Sequence, residues 1–230
     1  MPFAYFHYTM YSKLASAIYN DVMSGLRGTT SNPSISLDQL EDDIIDERLA
    51  IIKEYSLKGI LPKKDLLISI NCILVDCKSI SGCCDDTMNV NGMKHFEIPQ
   101  LISDFGVDGI EYIGAIDKQL PFTWYTDINN WTTHKYRKRG KNKPVVYINT
   151  TPNNNNLYDG YITNAPFLKS ITVIGMFKDP KQAFEMDCCN TEFDNPSFLN
   201  NEIKRRLTEK KLRFYRQLQH PITINDQTPK

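Results

Sequence analysis

No apolar run in the sequence approaches the roughly 20 residues that a membrane-crossing helix needs, so no bilayer span is expected. The aromatic opening MPFAYFHYTM lacks the basic segment and aliphatic run of a secretory signal, and none is predicted. The glycosylation patterns at Asn130–Thr132 and Asn149–Thr151 are discounted with it. A chain kept in the cytosol holds its thiols reduced, so a disulfide framework is not expected either. The four histidines, His7, His95, His134 and His220, are dispersed and share no motif with a serine, cysteine or carboxylate. Dinucleotide-binding and phosphate-binding glycine loops, H-E-x-x-H and the EF-hand loop are missing. Asp104–Phe105–Gly106 matches the kinase tripeptide, but no glycine-rich loop or H-R-D accompanies it. The chain is therefore read as a non-enzyme, with no catalytic residue, cofactor or metal assigned. Its net charge is zero, so total charge argues neither for nor against nucleic acid.

The six cysteines pose the sharpest question. Four lie in CILVDCKSISGCC, as Cys72, Cys77, Cys83 and Cys84, and Cys188 and Cys189 are adjacent far downstream. Structural zinc favours two close ligand pairs. Cys72 and Cys77 are loosely spaced for that, and Cys83 and Cys84 could both ligate only in a turn. Packing is the favoured reading: Cys72 sits among Ile, Leu and Val and behaves as a small buried hydrophobe. No obligatory zinc site is expected.

The 230 residues suffice for one large domain or two small ones. Leu14, Ile18, Val22 and Leu26 recur every four residues and predict a helix over 11–28, ended by Gly25 or Gly28. After the loop TTSNPS, Ser36 and Gln39 form a capping box for a second, acidic helix. Its stripe is Leu40, Ile44, Ile51 and Tyr55, broadened by Ile45, Leu49 and Ile52; Gly59 and Pro62 stop it. These two helices read as a hairpin. From Asp65 the pattern changes to short β-branched and aromatic runs: DLLISINCILV, GIEYIGAI, FTWYT, PVVYINT, LYDGYIT and SITVIGMF. The asparagine-rich TTPNNNNLYDG makes a hairpin-like loop, where asparagine tolerates left-handed backbone. DINNWTTHKYRKRG reads as a short helix or an ordered loop. A third long helix follows Pro196–Ser197, with Phe198, Leu199, Ile203, Leu207, Leu212, Phe214 and Leu218 apolar, and a polar tail after it. The fold class is α+β: N-terminal helical hairpin (1–62), central mainly antiparallel sheet (63–190), long C-terminal helix with extended tail (191–230), possible as one integrated domain.

Charge is segregated. HKYRKRGKNK is basic through Lys135, Arg137, Lys138, Arg139, Lys141 and Lys143, and the last helix through Lys204, Arg205, Arg206, Lys210, Lys211, Arg213 and Arg216. The second helix is acidic through Asp38, Glu41, Asp42, Asp43, Asp46, Glu47 and Glu54. A solvated face is the ordinary meaning of such runs, and phosphate binding is the functional one. A third reading fits zero net charge: the acidic helix of one copy attracts the basic helix of the next, across a head-to-tail ring interface formed by Asp42, Asp43, Asp46, Arg205, Arg206, Lys211, Phe214 and Tyr215.

LASAIYNDVMSGLRG, QLEDDIIDERLAIIKEY, YITNAPFLKSITVIGMFKDP and EIKRRLTEKKLRFYRQL resemble structural proteins of the crAss-like tailed bacteriophages, and the chain is similar to ring proteins of their head-to-tail connector. The resemblance implies a non-catalytic virion protein forming a ring of twelve copies below the portal. Its partners would be itself, the portal and other tail rings, with double-stranded DNA passing through the channel and no membrane contact. The alternative is a nucleic-acid-binding phage protein using the basic 135–143 loop and the C-terminal helix.

Overall fold

A computed structural model describes residues 10–26, 35–76, 93–102, 109–136, 143–165, 167–188 and 195–219. The expectations for Gly28, the TTSNPS loop, Cys77, Cys83, Cys84, the 104–106 tripeptide, residues 137–142, Cys189 and the C-terminal tail lie outside the described residues. The elements run α1 (Met10–Gly25), α2 (Leu37–Leu57), a 3-10 turn (Lys63–Leu66), β1 (Ile68–Leu74), β2 (Lys94–Pro99), β3 (Ile110–Gly114), β4 (Thr123–Tyr125), α3 (Ile128–Tyr136), β5 (Val145–Asn149), β6 (Leu157–Thr163), β7 (Ser170–Gly175), α4 (Pro180–Met186) and α5 (Ser197–Gln219). This is an α+β protein with helices at both ends of the described chain, as the sequence pattern indicates. Among the described residues no helix is long and apolar enough to cross a membrane. Two compact units form: residues 1–61 with 194–230, and residues 62–193. The expected breaks at 62/63 and 190/191 lie close to these, but the last segment joins the first instead of standing apart.

The helical unit packs α1, α2 and α5 together. On α1 the buried side is Tyr11, Ala15, Ile18 and Val22, followed by Leu26 just past its end; Leu14 is only half-buried. On α2 Leu40, Ile44, Ile51 and Ile52 are buried, and so is Arg48, whose Nε donates to Asn195 Oδ1 at 3.2 Å. Leu199, Ile203 and Leu207 of α5 are buried as well. The apolar side of α5 thus finds most of its cover on α1 and α2 of its own chain, because an amphipathic hairpin leaves a groove that a third amphipathic helix fills. Neither the sheet nor a second subunit is needed for those three residues.

Ser36 does occupy the N-cap position of α2, with extended backbone, but its side chain makes no capping hydrogen bond. The capping box is therefore not formed. Ser36 is exposed, and at an exposed helix start water reaches the first-turn amides. Ser36→Ala is expected to change stability by less than about 0.5 kcal/mol, against the roughly 1 kcal/mol of a working cap, which chemical denaturation of the two proteins checks. At the other end Gly59 stops α2 as expected, with φ +68° and its N–H donating to Ser56 O at 2.9 Å.

Among the described residues the second unit holds two sheets. One has the order β1-β7-β3, all antiparallel; the other has β2-β6-β5-β4, antiparallel except that β4 runs parallel to β5. Their apolar faces share one core, including Ile70, Phe96, Ile98, Ile113, Val146, Ile148, Ile162, Ile171 and Val173. Alternation along each strand sends the remaining side chains to the opposite face. The segment that could be helix or loop is the helix α3. The asparagine loop does use left-handed backbone, at Asn156 (φ 60°). α4 begins at Pro180 with Asp179 as its cap, the carboxylate accepting from Lys181 N at 2.8 Å.

Cys72 corrects two expectations. It is half-buried rather than a core residue, and it forms a disulfide with Cys188 across a sequence separation of 116. The register of β1 against β7 breaks between Ile70 and Ile73, and Cys72 sits in that break with φ 59°. Asp187 Oδ1 accepts from Asn71 N at 2.8 Å and from Asn71 Nδ2 at 3.2 Å. The bulge turns Cys72 out of the alternation, and the Asn71–Asp187 clasp sets the end of α4 beside it.

Candidate functional site

Among the described residues two places bring functional side chains together, one in each unit. In the helical unit α2 and α5 run antiparallel, since Asp43 meets Lys211, Glu47 meets Arg206 and Tyr55 stacks on Phe198. That orientation aligns the acidic series with the basic one. Lys211 Nζ lies 2.5 Å from Asp43 Oδ2. Arg206 binds Glu202 and Glu54 at 2.7 Å each and approaches Glu47 at 3.6 Å. Arg205 pairs within α5, with Glu202 at 2.7 Å and Glu209 at 3.1 Å, and Lys204 reaches Asp21 at 2.9 Å. Much of the segregated charge is thus met inside one chain. Of the eight residues expected at a subunit interface, Asp43, Arg205, Arg206 and Lys211 have these internal partners. Asp42 and Asp46 are exposed on α2. Phe214 packs edge-on against half-buried Tyr215, with ring centroids 5.3 Å apart, while 53% of Phe214 and 63% of nearby Leu218 remain exposed.

The two arginines hold the Glu202 carboxyl at a pKa of about 2, chiefly through the hydrogen bonds from Arg205 and then Arg206. Glu54 is lowered too, by Lys58 first and Arg206 second. A depressed carboxylate stabilises fully above its unfolded pKa, near 4.3 for glutamate, and that contribution is lost as pH falls toward the folded value. Helix melting should therefore be steady from pH 7 to 5 and decline between about pH 4.3 and 2. Glu202→Gln should flatten that decline in melts followed at 222 nm.

In the sheet unit, the face of β2-β6-β5-β4 opposite the core carries a polar and aromatic array. His95 is paired with Tyr161, Tyr161 with Tyr147, and Tyr147 with Tyr125, so one aromatic row crosses all four strands. Ring centroids lie 5.3 Å apart for His95–Tyr161 and 6.1 Å for Tyr147–Tyr161, and buried Trp131 of α3 covers Tyr147 at 5.6 Å. The next row is Glu97, Asp159 and Asn149. His95 Nε2 donates to Asp159 Oδ1 at 2.7 Å in the Nε2–H tautomer. Asn153 Nδ2, from the asparagine loop, donates to Glu97 Oε1 at 2.9 Å, and Asn153 Oδ1 accepts from Asn155 N and Leu157 N at 3.0 and 3.1 Å. Burial raises the Tyr161 pKa, with the charge of Asp159 adding to it.

In the sequence His95 is one of four dispersed histidines, and no known motif includes Glu97 or Asp159. The available signal was H-x-E on alternate positions of a segment whose other alternate positions, Phe96 and Ile98, are apolar. Of the cysteines, Cys72 and Cys188 are the described ones, and their sulfurs are bonded to each other. Compared with known proteins, the chain matches no protein-family model and no curated protein.

Proposed function

We propose that this protein is a structural assembly subunit, a ring-forming component of the head-to-tail connector of a short-tailed bacteriophage. In this reading twelve copies surround a channel for double-stranded DNA and dock on the portal and on other tail rings. The observation that carries the assembly part is the end of α5. Its apolar stripe is covered by its own chain as far as Leu207 and continues into Phe214 and Leu218, which water still reaches. Arg213 and Arg216, both exposed, border it. An exposed aromatic and aliphatic pair bordered by arginines suits a protein interface, where aromatic residues and arginine concentrate. The connector assignment itself comes from the resemblance of the sequence segments.

The internal ion pairs decide how the reading is tested. Reversing Arg206 or Lys211 breaks contacts within the helical unit, so loss of assembly there would be uninformative. Removal of everything after residue 194 takes away α5 and opens the helical unit. Phe214→Ser with Leu218→Ser touches only exposed side chains. The double variant should melt like the parent yet sediment as a monomer and fail to enter particles, while the parent forms rings in negative stain. The reading is overturned if the variant assembles normally while Arg213→Glu with Arg216→Glu abolishes tight DNA binding at about 0.15 M salt.

A further inference from the structure

The one group of histidine and carboxylates that converges among the described residues is His95, Glu97 and Asp159, whose ligand atoms all lie within 4.8 Å of one another. We propose that these three residues form a binding site for a divalent first-row transition-metal ion, held by His95 Nε2 and one oxygen each from Glu97 and Asp159.

Three observations support it. First, Glu97 and Asp159 are directly opposite each other in the antiparallel register of β2 and β6. Two carboxylates facing each other across a strand pair repel. A cation between them converts that repulsion into attraction, and two carboxylates with a neutral imidazole balance the charge of a divalent ion. Second, His95 is only 7% exposed and its ring lies against Tyr161. The imidazole is thereby held with Nε2 toward the carboxylates rather than free to turn into solvent. Third, Glu97 is positioned by Asn153, itself fixed by the two backbone N–H groups of its loop. An orienting partner behind a ligand is what a metal site requires of its surroundings.

The geometry needs little adjustment. Ligands at about 2.0–2.2 Å from an ion stand at most about 4.4 Å apart, so a small side-chain rotation closes the group. On binding, the ion takes the place of the His95–Asp159 hydrogen bond, and the imidazole adopts its Nδ1–H tautomer. Mixed imidazole and carboxylate donors suit manganese, iron or zinc better than magnesium or calcium. The site ties β2 to β6 and calls for no reaction.

Manganese is the probe of choice, because zinc also seeks thiolates and this chain has six cysteines. Full-length protein is stripped with chelator and titrated with Mn2+, following the loss of the free-ion paramagnetic resonance signal. One equivalent should bind, and Asp159→Asn and His95→Gln should each weaken it at least tenfold. Glu97→Gln, half-exposed and nearly isosteric, should also weaken binding while keeping the parental circular dichroism spectrum. The proposal is overturned if the parent takes up no Mn2+ at 1 mM ion, or if Glu97→Gln and Asp159→Asn bind as the parent does.

Discussion

Gly160→Ala is expected to destabilise the sheet unit by about 3 kcal/mol or more, at the top of the range for overpacked cores. Gly160 is paired with Phe96 across β6 and β2, and a Cβ built on it would stand 2.1 Å from Phe96 Cζ and 2.4 and 2.5 Å from the two Cε atoms. The ring lies over the glycine. Phe96 is buried in the shared core with Ile98 and Ile148 around it, so it has no solvent to swing into. Either the ring leaves its rotamer or β2 moves away from β6. A double-mutant cycle separates this contact from a general effect on the strand. Phe96→Leu alone should cost stability, but in that background Gly160→Ala should cost less than about 1 kcal/mol, giving a coupling well above the additivity error of about 0.5 kcal/mol. Equal costs of Gly160→Ala in the two backgrounds would refute the account.

Loss of the Cys72–Cys188 bond is the second large effect. The bond closes a loop with a sequence separation of 116, and loops of that size lose about 3–5 kcal/mol of stabilisation when opened, by the chain-entropy account. Cys72→Ser with Cys188→Ser should therefore lower the melting temperature by on the order of 10 °C. The fold should persist below that temperature, because Asp187 still holds Asn71 and Cys188 N still donates to Asn71 O at 3.4 Å. The effect thus acts through the unfolded chain, and a reducing agent should bring the parent to the stability of the double variant. Identical melts of the parent in oxidising and reducing buffer would sink it.

What was legible in the sequence follows from how far each signal reaches. α1, α2 and α5 announce themselves because apolar residues recur at helical spacing, and β1 and β3 to β7 because β-branched and aromatic residues cluster between turn formers. β2 was missed because Lys94, His95 and Glu97 disguise the alternating Phe96 and Ile98. α4 was missed although Asp179–Pro180 is a good start signal, since seven residues are too few to show a period. Arg48 stands one turn after Ile44 in the apolar stripe of α2, and that place is the clue to its burial. Contacts distant in sequence were not legible. Amphipathicity says that α5 must be covered but not by what, so its basic face was expected to meet another subunit before it was seen to meet α2. His95 and Glu97 meet Asp159, and Cys72 meets Cys188, only through strand pairing that periodicity does not encode.

The helical unit is assembled from both sides of the sheet unit in the sequence, and this sets an order of events during synthesis. α1 and α2 leave the ribosome long before α5. The intervening stretch from residue 62 to 193 takes roughly 7–26 s to translate at about 5–20 residues per second. Throughout that time Ile18, Ile44 and Ile51 have no third helix over them, while the sheet unit, continuous in sequence, can complete its pairing. Arg48 must also wait, since Asn195 emerges only with the last segment. The nascent chain thus carries an open apolar groove until α5 arrives. A holding chaperone that binds short apolar helices should associate with ribosome-bound chains ending before residue 194, and release them once α5 is exposed.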